Sequence, residues 1–380
     1  MKIATIVGTR PEVIKLSRVI SELDACCDHL LLHTGQNYDY SLNQVFFEQL
    51  SIRKPDQFME VASGDLGETI GNVIARSYQV LKTEAPQALL LLGDTNSCLA
   101  AISAKRLKIP VFHMEAGNRC FDDRVPEEIN RRIVDHISDV NLTYTEHARR
   151  YLLSEGLPPD RVIKTGSPMR EVLDHYKDGI DSSEAMQRLG LERKRFLLVS
   201  AHREENVDVS SNLKDLLDAL SALHARYQMP VVVSTHPRTR RRLDELKVGK
   251  EIDGVRFIEA LGFFDYVNLQ MNAYCVLSDS GTITEESSIL DFPAVTIRQA
   301  HERPEGMDEA TLVMSGLKPA SVLNAVELVV RHQSQSRSAF RVVPDYEPDN
   351  VSRKIVRLIF SYTDYVNRVV WRKSDQTPPG

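Results

Sequence analysis

The sequence contains few cysteines, and their spacing points neither to a metal site nor to a disulfide framework. Five cysteines stand at positions 26, 27, 98, 120 and 275, without a CxxC pair or a histidine at zinc-ligand spacing. The adjacent Cys26 and Cys27 are poorly placed to pair, and Cys98 and Cys275 have apolar neighbours. We therefore predict five reduced thiols in a cytoplasmic protein, and no metal.

Long apolar runs and clustered basic charge are also lacking. No apolar run approaches the ~20 residues that cross a membrane, and the N-terminus MKIATIVGTRPE becomes a strand and turn too early for a signal peptide. A net charge of -6 and a pI near 6.0 argue against nucleic acid as a partner. The one basic cluster, Arg238 to Arg242, is typical of an exposed helix start.

Short apolar runs alternate with helical periodicity along all 380 residues, a length that accommodates two domains. Continuous apolar runs favour parallel strands that are buried on both faces. They lie at 3–7, 30–34, 88–92, 111–114, 140–144 and 162–165, and then at 196–200, 231–235, 255–259, 274–277 and 294–297.

The polar, helix-like stretch 169–195 separates two βαβ series. We predict an α/β fold with two doubly wound, Rossmann-like domains that face each other across a cleft. The N-terminal domain would span 1–168 and the C-terminal domain 169–349. An amphipathic helix at about 350–372 is placed to pack back on the first domain, and the tail 374–380 is predicted to be disordered.

Polar residues follow the predicted strands at their carboxyl ends, where ligands bind in such sheets. These segments include Gly8-Thr9-Arg10, Gly93-Asp94-Thr95, Glu115-Ala116-Gly117, His202-Arg203 and Asp279-Ser280-Gly281. We expect them to line one site.

The segment SDSGTITEE, 278–286, joins an apolar strand to a helix through small residues. Backbone N–H groups of Ser280, Gly281 and Thr282 would lie free at the positive end of the helix dipole, where phosphate binds. Thr282 and Glu285 have capping-box spacing, and Glu286 is placed to accept hydrogen bonds from a ribose diol. The alternative is a well-capped helix with acids in its first turn.

The first predicted strand leads into GTRPE, with a proline in the first helical turn. Arg10 and Lys15 could both reach an anionic ligand near that helix start, although Lys15 could also occupy an exposed helix face. The turn is not a GxGxxG fingerprint, so no dinucleotide is expected.

Three acids of the first domain are candidate general acids and bases. Asp94 and Glu115 each follow an apolar strand directly, where a carboxylate must be desolvated or paired. Glu127 and Arg131 are four residues apart on one helix face and can form an ion pair. Capping and a surface ion pair explain Glu127 equally well, and Glu128 has no predicted role in the site.

In the second domain, His202 ends the first strand and could protonate or bind a departing phosphate. A structural histidine at a domain edge is the alternative, and His113 is expected to serve packing. Arg303 could bridge to phosphate or to a partner acid. Tyr266 could stack on a base or pack in the core.

Together these segments resemble the non-hydrolysing UDP-N-acetylglucosamine 2-epimerase family. GTRPEVIK, GDT, HMEAGNR, PEEINRR, AHREEN, SDSGTITEE and ERPEG recur in the family's order, from residue 3 to about 360. The resemblance implies a GT-B-like fold with UDP held mainly by the C-terminal domain, a homodimer, and no cofactor. It places Arg10, Lys15, Asp94, Glu115, His202, Tyr266, Ser280, Glu286 and Arg303 on ligand-contacting positions, and Glu127 and Arg131 on a further active-site motif.

The sequence departs from the pattern of the GlcNAc enzymes in two motifs. Thr282 replaces the second glycine of an SGG turn, and Glu204 replaces the second arginine of HRREN. These departures, with the stretch HTGQNYDYSLNQVFF at 33–47, resemble the branch that converts UDP-2-acetamido-2,6-dideoxy-L-talose to UDP-N-acetyl-L-fucosamine for bacterial capsule, O-antigen or lipopolysaccharide. They also argue against the substrate-activator site of some GlcNAc enzymes.

The family route implies loss of the C2 proton as UDP leaves, a bound 2-acetamidoglycal, and return of UDP with a proton on the opposite face. Asp94, Glu115 and Glu127 would transfer protons, while Arg10, His202 and Arg303 stabilise the diphosphate. A GT-B glycosyltransferase, a hydrolysing epimerase and a nucleotide-sugar sensor are the alternatives. The first domain's acids are more numerous than acceptor activation requires, and a sensor leaves them unexplained.

Overall fold

The chain divides into two compact units in the computed structural model. The structure describes residues 1–35, 40–246, 252–300, 302–335 and 340–373. The first unit comprises Met1–Asp174 and the chain from Glu347 onward, and the second comprises His175–Tyr346. The predicted disordered tail and part of the stretch 33–47 lie outside the described residues.

Over its described residues, the first unit is built on a seven-stranded parallel sheet with the order β3-β2-β1-β4-β5-β6-β7. Its strands are β1 Lys2–Val7, β2 Asp28–His33, β3 Gln57–Phe58, β4 Ala88–Leu92, β5 Val111–Met114, β6 Val140–Thr143 and β7 Val162–Lys164. The helices are α1 Arg10–Cys26, α2 Tyr40–Gln49, α3 Leu66–Glu84, α4 Ala100–Arg106, α5 Pro126–Ile137, α6 Glu146–Ser154 and α7 Met169–His175.

The described part of the second unit contains a six-stranded parallel sheet with the order β10-β9-β8-β11-β12-β13. Its strands are β8 Leu197–Ser200, β9 Val231–Thr235, β10 Val255–Glu259, β11 Cys275–Ser278, β12 Ala294–Thr296 and β13 Val313–Met314. The helices are α8 Lys177–Asp181, α9 Ala185–Arg188, α10 Glu204–Val207, α11 Ser210–Tyr227, α12 Pro237–Leu246, α13 Phe263–Asn272, α14 Thr282–Leu290, α15 Pro304–Asp308 and α16 Pro319–Gln335.

The last helix, α17 Val351–Val369, belongs to the first unit and packs against α1. Its amphipathic face is buried at Ile355, Ile359 and Val366. At its start, the backbone N–H and the hydroxyl of Ser352 donate to the Glu171 carboxylate. Polar contacts therefore fix the first turn, and apolar burial fixes the rest.

The prediction of two doubly wound parallel sheets is confirmed, because apolar strands buried on both faces form the cores. The central strand β4 is fully buried along its length, as continuous apolar runs require. The two-residue strands β3 and β13 were not predicted: β3 lies outside any apolar run, and the run at β13, Leu312 to Met314, is only three residues long. The five cysteines are free thiols, with Cys98 and Cys275 buried. None of the described helices combines the length and apolar composition that a membrane span needs.

Candidate active site

A buried carboxylate joins the first two polar loops of the first unit. Glu12 is 2% exposed and accepts hydrogen bonds from the backbone N–H groups of Gly8 and Thr9. It also accepts from the hydroxyls of Thr95 and Ser97, the latter at 2.5 Å. Burial raises the pKa of Glu12, while these donors oppose the rise. Glu12 therefore holds the loop after β1 against the loop after β4, although the sequence analysis gave it no role.

The two predicted cations of α1 lie in different surroundings. The guanidinium of Arg10, in the first turn, lies 5.6 Å from the centre of the Phe46 ring. Lys15 Nζ donates to Glu115 Oε2 at 2.6 Å, and the two side chains are only 5% and 12% exposed. Asn118 donates to the other oxygen of Glu115 at 3.3 Å. The structure thus brings Lys15 and Glu115 together, and an exposed helix face for Lys15 is wrong.

Glu115 also has an unusual backbone, in the turn after β5. Its φ of +61° lies in the left-handed region, which is uncommon for residues other than glycine. Gly117 follows with a φ of +84°, and a Cβ at that position would lie 2.5 Å from the carbonyl oxygen of Ala148. The turn therefore requires glycine at 117, and it directs Glu115 towards Lys15.

Arg131 connects the remaining acids of the first unit. Its Nε donates to Asp94 Oδ2 at 3.1 Å, its Nη2 donates to the same oxygen, and its Nη1 donates to Glu128 Oε2 at 2.9 Å. Glu128 is fully buried and also accepts the backbone N–H of Cys120. Burial opposes its ionisation, but the bonds from Cys120 and the charge of Arg131 hold the pKa of Glu128 low.

Glu127 lies half-buried in the first turn of α5, next to Glu128. The sequence analysis named only Glu127 as the partner of Arg131. The structure gives Arg131 the partners Asp94 and Glu128. Glu128 can reach it because the helix start at Pro126 directs that side chain inward.

In the second unit, Asp279 organises the loop that carries His202. Asp279 is fully buried and accepts the backbone N–H groups of His202 and Arg203 at 2.9 and 3.0 Å, and the Asn206 amide at 3.0 Å. His202 Nδ1 lies 3.0 Å from Asp279 Oδ1, and the imidazole remains 35% exposed. Despite burial, the neighbouring His202 and these donors hold the pKa of Asp279 well below its usual range.

The sequence analysis placed Asp279 in a segment that lines the site but gave its side chain no specific role. The signal was present, because Asp279 follows a buried strand directly, as do Glu115 and, one residue later, Asp94.

The predicted phosphate cradle lies at the N-terminus of α14. Ser280 Oγ lies 3.0 Å from Thr282 Oγ1, and a Cβ at Gly281 would lie 2.8 Å from the Glu302 carboxylate. The capping box is wrong: the helix begins at Thr282 with Gly281 at the N-cap, and no side chain caps it. Glu285 instead forms an ion pair with the buried Arg303, because a buried guanidinium requires a counter-charge.

The other predicted residues of the second unit lie beside this helix. Arg303 Nη2 is 3.1 Å from Glu285 Oε2, so a partner acid is the contact that the structure provides. Glu286 accepts a hydrogen bond from Gln270 Nε2 at 2.6 Å and is 7% exposed. Tyr266 packs against the core beneath, and burial raises the pKa of its hydroxyl.

The described residues contain no cluster of three His, Cys, Asp or Glu side chains that could hold a metal ion. A cavity of about 440 Å³ in the first unit is lined by residues near the amino ends of β6 and β7, including His136, Asp139 and Arg161. None of the predicted site residues lines it. The polar groups at the strands' carboxyl ends remain the candidate site.

Comparison with known proteins shows which family the chain belongs to. The family model described as UDP-N-acetylglucosamine 2-epimerase matches residues 22–360. A solved structure of UDP-N-acetylglucosamine 2-epimerase from Rickettsia bellii is 55% identical, with a TM-score of 0.91, covering 98% of this chain and 100% of that one. The Methanocaldococcus jannaschii UDP-GlcNAc 2-epimerase in complex with UDP-GlcNAc and UDP is 32% identical, with a TM-score of 0.89, covering 95% and 100%.

A further relative differs in its substrate. The UDP-2,3-diacetamido-2,3-dideoxy-D-glucuronate 2-epimerase of Pseudomonas aeruginosa is 34% identical over 308 residues, which cover 80% of this chain and 84% of that protein. The relatives therefore share epimerisation at C2 of a UDP-sugar but not one sugar. The match to the family model and the identity to these enzymes show that the chain belongs to the UDP-N-acetylglucosamine 2-epimerase family of isomerases.

Proposed function

We propose that this chain epimerises C2 of a UDP-2-acetamido-2,6-dideoxy-L-hexose, converting the L-talo to the L-fuco sugar and so forming UDP-N-acetyl-L-fucosamine. One contact supports this choice among UDP-sugars. Glu204, which replaces an arginine of the HRREN motif, forms an ion pair with Arg238 at 2.6 Å. The GlcNAc pattern has an arginine at this position, which is a second cation. Here the position carries an acid that is already paired with Arg238, so the charge that a bound ligand would meet differs.

The chemistry follows from the acidity of the sugar. No carbonyl neighbours C2, so its hydrogen is not acidic and a free carbanion would be too costly. In the proposed route a base removes the C2 proton while the C1–O bond breaks. The electron pair of the C–H bond forms the C1=C2 double bond, and UDP leaves with the C1–O pair. UDP then attacks C1 as a proton is delivered to the opposite face of C2.

The candidate residues would supply different parts of this reaction. Asp94, Glu115 and Glu127 are the proposed proton-transfer groups, because transfer on two faces of C2 needs more than one carboxylate. Ser280, Gly281, Thr282 and Glu286, with Tyr266, are the proposed UDP site. Arg10, His202 and Arg303 would stabilise the leaving diphosphate as hydrogen-bond donors, an effect of about 3 kcal/mol for each well-placed donor.

Lys15 and Arg131 act in this proposal by holding carboxylates. Lys15 bonds Glu115 at 2.6 Å, and Arg131 bonds Asp94 through two nitrogens. Each cation therefore fixes the position of the carboxylate that it bonds.

UDP-N-acetylglucosamine is the second candidate substrate. The Rickettsia and Methanocaldococcus relatives, which are named for this substrate, favour it at 55% and 32% identity. The chemistry at C2 would be the same, and only the sugar contacts would differ.

NMR of the sugar in deuterium oxide tests both candidates. UDP-2-acetamido-2,6-dideoxy-L-talose and UDP-GlcNAc are incubated separately with the enzyme. Conversion of the first to the L-fuco epimer with deuterium at C2 would support the proposal. Exchange in UDP-GlcNAc alone would replace the L-talo substrate with the second candidate. Exchange in neither sugar would refute both.

A homodimer and a role in surface polysaccharide synthesis complete the proposal. The support for the dimer is the family resemblance, together with the exposed Ile129 and Ile133 on one face of α5. Light scattering that gives the mass of one 43.0 kDa chain would refute it.

A further inference from the structure

His113 is a buried histidine whose two ring nitrogens both face hydrogen-bond acceptors. It lies on β5 and is fully buried. Its Nδ1 is 2.9 Å from Asp135 Oδ1, and its Nε2 is 2.7 Å from the carbonyl oxygen of Gly93. A carbonyl oxygen cannot donate, and a carboxylate cannot donate when ionised. When Asp135 is ionised, both ring nitrogens must carry a proton to make these two bonds, and the side chain is then an imidazolium.

The charges around His113 fit this protonation state. Asp135 is fully buried and also accepts from Arg119 Nη1 at 2.7 Å, and Arg119 Nε in turn donates to Glu155 at 2.8 Å. Glu155 reaches the surface, and His136 also lies 2.9 Å from it. A charged His113 therefore gives the buried Asp135 a second cationic donor beside Arg119, which offsets part of the cost of burying that carboxylate.

Both contacts of His113 lead to proposed catalytic acids. The carbonyl of Gly93 belongs to the residue that directly precedes Asp94. On the other side, Asp135 accepts the backbone N–H of Gly117 at 3.1 Å, which closes the turn that carries Glu115. His113 thus contacts the Asp94 loop directly, through the Gly93 carbonyl, and contacts the Glu115 turn indirectly, through Asp135.

We propose that His113 is a protonated positioning residue that couples the Asp94 loop to the Glu115 turn through Asp135. The acids facing it are Asp135 on α5 and Asp94 after β4, while Arg119 acts from the far side of Asp135. The direction of the His113 pKa agrees: burial lowers it, but the hydrogen bonds to Asp135 and Gly93 and the charges of Asp135 and Asp94 together raise it above its usual value. The expectation that His113 only serves packing leaves these contacts unexplained.

The protonation state can be measured without any substrate. In the whole protein labelled with ¹⁵N-histidine, the His113 signals are assigned by their loss in His113→Asn. Two protonated ring nitrogens from pH 6 to pH 8 would support the proposal. One unprotonated ring nitrogen at pH 7 would overturn it. This readout is independent of the proposed function.

The coupling is tested by two variants that each keep one contact. The amide of His113→Asn can replace Nδ1 and donate to Asp135, and that of His113→Gln can replace Nε2 and donate to the Gly93 carbonyl. Because each variant frees one segment, we expect turnover in both to fall by about 10-fold to 100-fold, with UDP affinity unchanged. Wild-type turnover in a folded His113→Gln protein would overturn the coupling.

The matched control is His29→Asn in the same unit. His29 is also buried and lies 2.6 Å from a carboxylate, Asp24, but it contacts neither catalytic segment. Its turnover should remain within about twofold of wild type. An equal fall in His29→Asn would overturn the coupling, because general destabilisation would then explain the result.

The coupling rests on the proposed function. If the wild-type enzyme exchanges no C2 proton, that function fails while the NMR readout still decides the state of His113.

Discussion

Asp279 holds both the backbone and the ring of His202, accepting the backbone N–H at 2.9 Å and lying 3.0 Å from the ring Nδ1. Because Asp279 engages Nδ1, Nε2 is the nitrogen left to a ligand. Exposure of about a third of the imidazole permits such a contact. The carboxylate therefore fixes the orientation of a group that is proposed to meet the diphosphate.

The first prediction concerns Asp279→Asn. An amide keeps one acceptor oxygen but places an NH₂ group against the remaining donors, so the His202 loop should shift. We expect kcat to fall by about 10-fold to 100-fold in a protein that still folds. The rate of C2 deuterium exchange is the measurement. Asp215→Asn is the control, since among the described residues Asp215 forms an ion pair with the exposed Lys318 of the same unit. Unchanged exchange in Asp279→Asn would refute the role.

The second prediction is the acid sensitivity that Asp279 gives to the fold. Its folded pKa lies below the unfolded value of about 3.9, so its stabilisation is present above that value and is lost as pH falls through the folded pKa. Wild type should lose more unfolding free energy between pH 6 and pH 3 than Asp279→Asn does. Urea titrations at both pH values measure this difference. Equal losses in the two proteins would contradict the prediction.

The third prediction concerns Glu115→Gln. The substitution preserves shape but removes the proton acceptor, so UDP should bind with unchanged affinity while most C2 exchange is lost. Calorimetric titration with UDP and deuterium exchange provide the two measurements. Glu84→Gln is a matched control, because Glu84 forms a Lys–Glu pair of the same 2.6 Å length with Lys2 at the surface. A Glu115→Gln rate near wild type would remove Glu115 from the mechanism.

The fourth prediction compares two arginines that bond the same buried acid. Arg131 is 3% exposed and bonds Glu128 at 2.9 Å, whereas Arg132 is 44% exposed and bonds it at 3.2 Å. Arg131→Ala leaves the fully buried Glu128 without its buried cation and should reduce the free energy of unfolding by about 3 kcal/mol. Arg132→Ala should cost less than about 1 kcal/mol, as surface pairs do. Urea unfolding of both variants is the measurement, and equal losses would contradict the importance of burial.

The sequence predicted the fold well because strands and parallel sheets follow from local patterns. Continuous apolar runs predicted β4, β5, β9 and β10 at their observed bounds. The two-residue strands β3 and β13 were missed, since a short edge strand has no pattern of its own. The capping box at Thr282 failed for the opposite reason: its spacing was correct, but Glu285 was required as the partner of Arg303.

The sequence by itself determined the apolar strand runs, the polar segments at their carboxyl ends, and hence most candidate site residues. Only the tertiary structure decided which charges meet. Lys15 and Glu115 are 100 residues apart in sequence and form a 2.6 Å bond, and Asp279 and His202 are 77 apart. Parallel strands that are distant in sequence end at the same edge of a sheet. Each acid that is buried there needs a cation or a set of hydrogen-bond donors. The spacing of residues along the sequence does not show which partner that acid will have.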